Sequence, residues 1–219
     1  MIKAIATKYI SGAPQRVTRA HSEKGQAALK PRDLLDAIMS GATTIRRVAF
    51  GTRPRLPWLT YPALRALRGI VGSSSRIFEF GGGMSTVYFA EVLRAAEVIT
   101  VEDDREWFLE TAKLAPRARV FSLCREEYVN KIDDFPLNYF DLIVVDGSQR
   151  VECFRTAEPH LKKGGHFILD DTDKDFAVKG ELYVLDKLAG ASDGYRAQRY
   201  TGWIPGSFWV KETTICCKL

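Results

Sequence analysis

The chain has 219 residues, 46% of them hydrophobic and 27% charged, which fits one soluble globular domain with room for an appendage, and no apolar run approaches the roughly 20 residues that span a bilayer. The formal net charge is +5, unevenly spread: residues 1–75 hold 13 basic and 3 acidic residues, a balance of +10, and the remainder 19 and 24, a balance of −5. A basic half suits nucleic acid, an anionic surface or an acidic substrate, but no nucleic-acid motif accompanies it, so a solvated arm is the favoured reading.

The N-terminus lacks the continuous apolar core of a secretory signal. Cys124, Cys153, Cys216 and Cys217 show no CxxC spacing. They read as reduced thiols of a cytoplasmic protein without structural zinc. The first 25 or so residues are polar and basic and read as loosely docked. Pro31 can open a helix as its first residue. Leu34, Leu35, Ile38, Met39, Ile45 and Val48 follow as an apolar stripe, with a break expected near Gly41. Gly51, Pro54 and Pro57 mark a loop. Trp58-Leu59-Thr60-Tyr61-Pro62 then leads into a helix carrying Leu64, Leu67 and Ile70, and Gly72–Ser75 is a turn.

From Arg76 the pattern becomes regular. Strand-like runs at 76–80, 97–101, 118–123, 140–145 and 165–170 alternate with helix-like runs at 84–95, 104–115, 125–132 and 150–162. Such alternation predicts βαβ units around a parallel sheet. A further helix is expected from residue 176 to about 188. Two late strands, near 195–200 and 208–217, flank the turn-rich Gly202–Gly206. The chain therefore divides by role into a basic helical appendage, 1–72, and a cofactor-binding domain, 73–219.

The chemistry hangs from residues 76–86, Arg-Ile-Phe-Glu-Phe-Gly-Gly-Gly-Met-Ser-Thr. They read as a strand, a glycine turn and a helix start, where free N–H groups face whatever sits above the turn. A dinucleotide site would carry a third glycine. Thr86 stands there instead, and Glu79 precedes Gly81 by two positions. Such a carboxylate repels a pyrophosphate and suits an ammonium group, so the ligand carries an amino-acid head. About twenty residues further on, Glu102 at the end of the second strand can hold both hydroxyls of a ribose. Asp103 or Asp104 can cap the helix that follows.

With these residues in place, 76–172 resembles a class I S-adenosylmethionine-dependent methyltransferase. The resemblance implies a doubly wound, Rossmann-like α/β fold with a seven-stranded sheet whose last strand is antiparallel. It implies that Glu79, Gly81, Gly82, Gly83, Ser85 and Thr86 cradle the methionine part of the cofactor, and that Glu102 and Asp103 lie at the ribose. Arg125 and Glu126 stand beside the adenine position, where an Asp is common in the family. Asp146 matches the fourth motif, and Leu161–Asp171 matches the Gly-Gly turn and fifth strand. The implied function is methyl transfer to an oxygen of a small molecule or sugar. An RNA or large acidic acceptor and a cofactor-binding protein without catalysis are the alternatives, and a homodimer is compatible with the sequence.

Asp146, Asp170 and Asp171 end adjacent parallel strands, so three carboxylates converge on one sheet edge. Such a set suits Mg²⁺ and resembles the metal-dependent O-methyltransferases. The other reading puts Asp146 at cofactor or substrate and leaves Asp170 and Asp171 as caps. Catechol-type enzymes of that group carry a Lys three residues after the first metal Asp. Gln149 stands there here, so no general base is identified. Arg150 either clamps an acidic substrate group or pairs with Glu152, Asp171 or Asp173. Trp58–Pro62 reads mainly as core, with the pocket wall as its other reading. The Gly202–Trp209 segment is a second candidate wall. His166 is given no role.

Overall fold

The computed structural model describes residues 18–173 and 194–219. The helix expected over 176–188 lies outside the described residues, as do the first 17. Two helices open the described chain, α1 (Pro31–Phe50) and α2 (Tyr61–Ile70). Five strands with intervening helices follow: β1 (Arg76–Phe80), α3 (Met84–Val87), β2 (Glu97–Glu102), α4 (Arg105–Leu114), β3 (Arg119–Ser122), α5 (Arg125–Asn130), β4 (Phe140–Val145), α6 (Arg150–Ala157) and β5 (Leu161–Asp170). A hairpin, β6 (Tyr195–Ile204) and β7 (Ser207–Lys218), closes the sheet.

The sheet order is β3-β2-β1-β4-β5-β7-β6. The first five strands are mutually parallel, and β7 runs antiparallel to both β5 and β6. The order reverses at β1 and β4, whose carboxyl ends therefore open a crevice, the place where open α/β sheets take ligands. Alternate residues feed two cores. Ile77, Val98, Leu142, Val144 and Ile168 point to one face, under α2 and α3. Phe78, Phe80, Ile99, Val101, Ile143, Val145 and Phe167 point to the other, under α5 and α6. Burial on both faces explains why these strands read as continuous apolar runs.

Several local expectations are revised. Helix α1 runs unbroken through Gly41 to a left-handed Gly51 cap. It is also turned inside out: Asp33, Asp36 and Ser40 are its buried residues, whereas Leu34, Leu35, Ile38, Met39, Ile45 and Val48 are exposed. The inward polar groups are satisfied. Asp36 takes both terminal nitrogens of Arg65 at 2.8 and 2.9 Å, and Ser40 Oγ donates to the Ser207 carbonyl at 2.9 Å. Helix α3 passes into a π-helical turn, Tyr88–Val92, and ends before residue 95. Helix α6 stops at Ala157, and a short 3₁₀ turn leads into β5, which starts at Leu161 rather than 165 and absorbs the Gly164-Gly165 pair behind a register shift. The Gly202–Gly206 segment is mostly strand, turning only at Pro205-Gly206.

The described residues before α1 are docked rather than loose. Val210 N–H donates to the Arg19 carbonyl at 2.9 Å, Glu23 N–H to Asp173 at 2.9 Å, and the Trp203 indole to the Ala28 carbonyl at 3.3 Å. No helix among the described residues is long and apolar enough to cross a membrane.

Candidate active site

The carboxyl ends of β1, β2, β4 and β5 line a cavity of about 390 Å³. Its wall contains Gly81, Gly82, Gly83 and Ser85 from the glycine turn, Glu102 and Asp103 from β2, and Asp146, Asp170 and Asp171 from β4 and β5. Nine of the residues singled out in the sequence therefore meet at one site.

The turn is tight because β1 and β4 end glycine against glycine. Gly81 has φ +91°, and a Cβ there would stand 2.7 Å from the Gly147 backbone. A Cβ on Gly147 would collide with the Tyr128 hydroxyl. The turn is also held from both sides. Glu102 Oε2 accepts from Gly82 N–H at 2.8 Å, while its Oε1 accepts from Asp103 and Asp104 N–H at 3.0 and 2.9 Å. Burial pushes the Glu102 carboxyl up, and the Asp104 and Gly82 amides oppose it. Of the two candidate caps, Asp104 takes the role on α4, accepting from Trp107 N–H at 2.8 Å.

Glu79 lies beneath the turn rather than on the cavity wall. Its Oε2 accepts from Thr86 Oγ1 at 2.5 Å and Thr100 Oγ1 at 3.0 Å. Its Oε1 is buried with no hydrogen-bond partner among the described residues. Burial pushes this carboxyl up to about 7, against the pull of nearby hydroxyls. Thr86 is likewise buried under the turn, and its hydroxyl accepts from Gly83 N–H at 3.1 Å.

The adenine-side expectation fares differently. Glu126 is exposed on the first turn of α5 and away from the cavity wall. Arg125 opens that helix, and its side chain lies outside the described residues. The Gly202–Trp209 segment forms no wall: Trp203 stacks on Phe208 at 4.7 Å and packs under the N-terminal segment. Trp58 does line the cavity. Arg53 lies 4.2 Å over the Trp107 ring and 6.0 Å from that of Trp58.

Arg150 spends its guanidinium on the protein. Nε donates to the Gly147 carbonyl at 2.9 Å, Nη1 to the Asp170 carbonyl at 2.8 Å, and Nη2 to the Asp146 carbonyl and Oδ1 at 3.1 and 3.0 Å. It staples the ends of β4 and β5, and a clamp on substrate is not what this geometry offers. Asp170 is fully buried, with Oδ1 accepting from Thr213 Oγ1 at 2.9 Å and Oδ2 bound by the Lys211 ammonium. Lys211 also reaches Asp171 Oδ1 at 3.2 Å. Burial pulls the Lys211 ammonium down, but Asp170, Asp171 and Asp146 outweigh it and hold it protonated.

A divalent ion on Asp146, Asp170 and Asp171 does not fit this arrangement. Mg²⁺ or Ca²⁺ needs carboxylate oxygens at about 2.0–2.6 Å, and these carboxylates are already engaged by Arg150 and Lys211. No group of three or more acidic, His or Cys residues among the described residues could hold a metal.

Sequence reasoning missed several wall residues, Trp107 and Lys211 among them. Trp107 donates its indole N–H to the Gly82 carbonyl at 2.5 Å. Lys211 sits in the middle of β7, and a Lys-Glu pair inside a strand-like apolar run was its signal.

The sheet order, the antiparallel β7 and the glycine cradle at the switch point define a class I methyltransferase fold. Residues 78–172 match the family model described as a methyltransferase domain. A Klebsiella pneumoniae protein provisionally described as an O-methyltransferase aligns over 99% of this chain and 94% of its own, at 18% identity and a TM-score of 0.59. The O-methyltransferase TomG of Streptomyces achromogenes, in complex with S-adenosylmethionine, aligns over 85% and 95% at 16% identity and 0.62. A Bacillus cereus O-methyltransferase in complex with S-adenosylhomocysteine aligns over 87% and 93% at 20% identity and 0.57. No curated protein matches the chain.

Proposed function

We propose that this protein transfers the methyl group of S-adenosylmethionine to an oxygen of a small-molecule acceptor. The observation that carries the reading is the charge of the cavity wall: Glu102, Asp103, Asp146, Asp170 and Asp171 face a single ammonium, Lys211. A wall of that sign favours a cationic ligand and repels a pyrophosphate. The unpartnered Glu79 Oε1 under the turn is the group an α-ammonium above it would satisfy through a bridging water. Glycines 81–83 let a ligand approach the backbone closely. The O-methyltransferases of like fold support an oxygen acceptor.

When bound, S-adenosylmethionine supplies an electrophilic methyl on a sulfonium whose thioether leaves neutral. The protein's task is therefore chiefly to align and to exclude water. Glu102 and Asp103 hold the ribose end. The turn and Glu79 hold the amino-acid end. Asp146, Asp170, Asp171 and Lys211 form the acceptor end, and Trp58 and Trp107 shield the cavity.

The test is calorimetric binding of S-adenosylhomocysteine to the wild type and to Glu102→Ala. Losing hydrogen bonds to a charged group costs about 1.5–3 kcal/mol, so affinity should fall roughly 10- to 100-fold. Unchanged affinity would remove the ribose assignment. Tight binding of NADH in place of S-adenosylhomocysteine would remove the cofactor.

A further inference from the structure

The acceptor end of the cavity gathers three carboxylates on the ends of two adjacent strands, and the protein itself supplies the positive charge they require. Lys211 reaches that point from β7, antiparallel beside β5, where Asp170 pairs with Thr213 in register. Its side chain is almost fully buried, yet the residue contributes to the cavity wall. Its ammonium has three donors. One is bound to Asp170 Oδ2 and one reaches Asp171 Oδ1 at 3.2 Å, and among the described residues the third is left for an oxygen in the cavity. Arg150 neutralises Asp146 at 3.0 Å from below. A divalent ion placed on the same oxygens would lie against the ammonium. To enter, it would have to expel a buried lysine from its ion pairs, and breaking a buried pair is strongly unfavourable.

We propose that Lys211 is the resident cation of the acceptor end: its ammonium stands where a divalent ion would otherwise bind Asp170 and Asp171, so the site works without metal and presents an N–H donor to the acceptor's oxygen. The acceptor class that follows is one offering a single hydroxyl or anionic oxygen. An ammonium gives a point contact, whereas an ion with open coordination positions can chelate two neighbouring oxygens. The proposal rests on the methyltransferase reading for the meaning of "acceptor", but the exclusion of metal by Lys211 is measurable without any acceptor.

Mn²⁺ serves as the probe, its free signal followed by electron paramagnetic resonance, with S-adenosylhomocysteine binding followed separately by calorimetry. Wild-type protein, with or without S-adenosylhomocysteine, should leave the Mn²⁺ signal unchanged at millimolar concentrations. Lys211→Ala should bind one Mn²⁺ per chain at least tenfold more tightly than wild type, and adding Asp171→Asn to that variant should abolish the gain. Stoichiometric Mn²⁺ binding by the wild type at this site would overturn the proposal. So would a Lys211→Ala protein that melts cooperatively and still binds no Mn²⁺. Should Lys211→Ala fail to fold, Lys211→Thr, a better strand former, carries the same comparison, and the wild-type measurement stands by itself. A wild type that binds no S-adenosylhomocysteine would sink the methyltransferase reading, whatever Mn²⁺ does.

Discussion

At the scale of single residues, Glu79 makes both the stability of the fold and the proposed function testable through pH. Its carboxyl is fully buried and pushed up to about 7, against an ordinary value near 4.3 in an unfolded chain. Between these two values the folded state holds a proton that the unfolded state has lost, so stability must fall as pH rises through this window. The contribution is complete below the unfolded value and is lost as pH passes through about 7. Its full extent is on the order of 3 kcal/mol. Glu79→Gln should flatten the dependence, as urea unfolding at a series of pH values would show. An ammonium brought to Glu79 Oε1 reverses the preference and favours the ionised form. Binding of S-adenosylhomocysteine near neutral pH should therefore release up to one proton. Calorimetry in buffers of different ionisation enthalpy measures this release, and Glu79→Gln should abolish it. A release that persists in the variant would place the proton elsewhere and would detach Glu79 from the amino-acid end of the ligand.

At the scale of elements, the site depends on how closely β1 and β4 can end together. Gly81 cannot gain a Cβ without meeting the Gly147 backbone at 2.7 Å, and its φ of +91° disfavours any other residue. Gly81→Ala should cost about 2–4 kcal/mol, read as a lowered midpoint in denaturant. Gly147→Ala meets the Tyr128 hydroxyl first, a buried group with no hydrogen-bond partner among the described residues. Tyr128→Phe should thus be neutral or stabilise by about 1 kcal/mol. It should also relieve Gly147→Ala in part, because the backbone of Gly81 still lies 3.0 Å from the new methyl. A Tyr128→Phe protein destabilised by more than about 1 kcal/mol would show that the hydroxyl has a role its surroundings do not reveal. The same elements show what the sequence could tell. The glycine turn, Glu102 and Asp146 were legible because each belongs to a local strand-to-helix motif. Lys211 was not: it meets Asp170 across 41 positions and no local motif surrounds it. Helix α1 misled for the opposite reason. Its apolar periodicity was correctly helical, but periodicity does not say which side is inward, and here Arg65 and Ser207 reward the polar face.

At the scale of the whole molecule, the basic N-terminal part and the sheet that follows it fold and build the cavity together. Residues 18–70 cover the β6–β7 hairpin and complete the cavity. Thr60 N–H donates to Thr213 Oγ1 at 3.3 Å, Thr60 Oγ1 to the Tyr200 carbonyl at 3.0 Å, and Gly206 N–H to Thr43 Oγ1 at 2.9 Å. Gly202 lies so close to Pro62 that a Cβ there would fall 2.7 Å from its ring. Leu59, Tyr61, Leu64 and Leu67 are buried in the core that β1, β4, β5 and β7 share. Each such side chain stabilises by about 1.5–3 kcal/mol. Four of them contribute roughly as much as the 5–15 kcal/mol by which a whole domain is stable. Trp58 adds a wall that residues 73–219 cannot supply. A chain cut to residues 73–219 should therefore lose its cooperative melt and its affinity for S-adenosylhomocysteine together, and a chain cut only to residues 18–219 should keep both, because the segment from Arg19 to Ala28 remains to seat on β6 and β7. Thermal melting and calorimetry of the two truncations against the full chain decide the matter. A cooperative 73–219 fragment with full-length affinity would show that the appendage is dispensable to fold and cofactor alike, and would return its meaning to its charge.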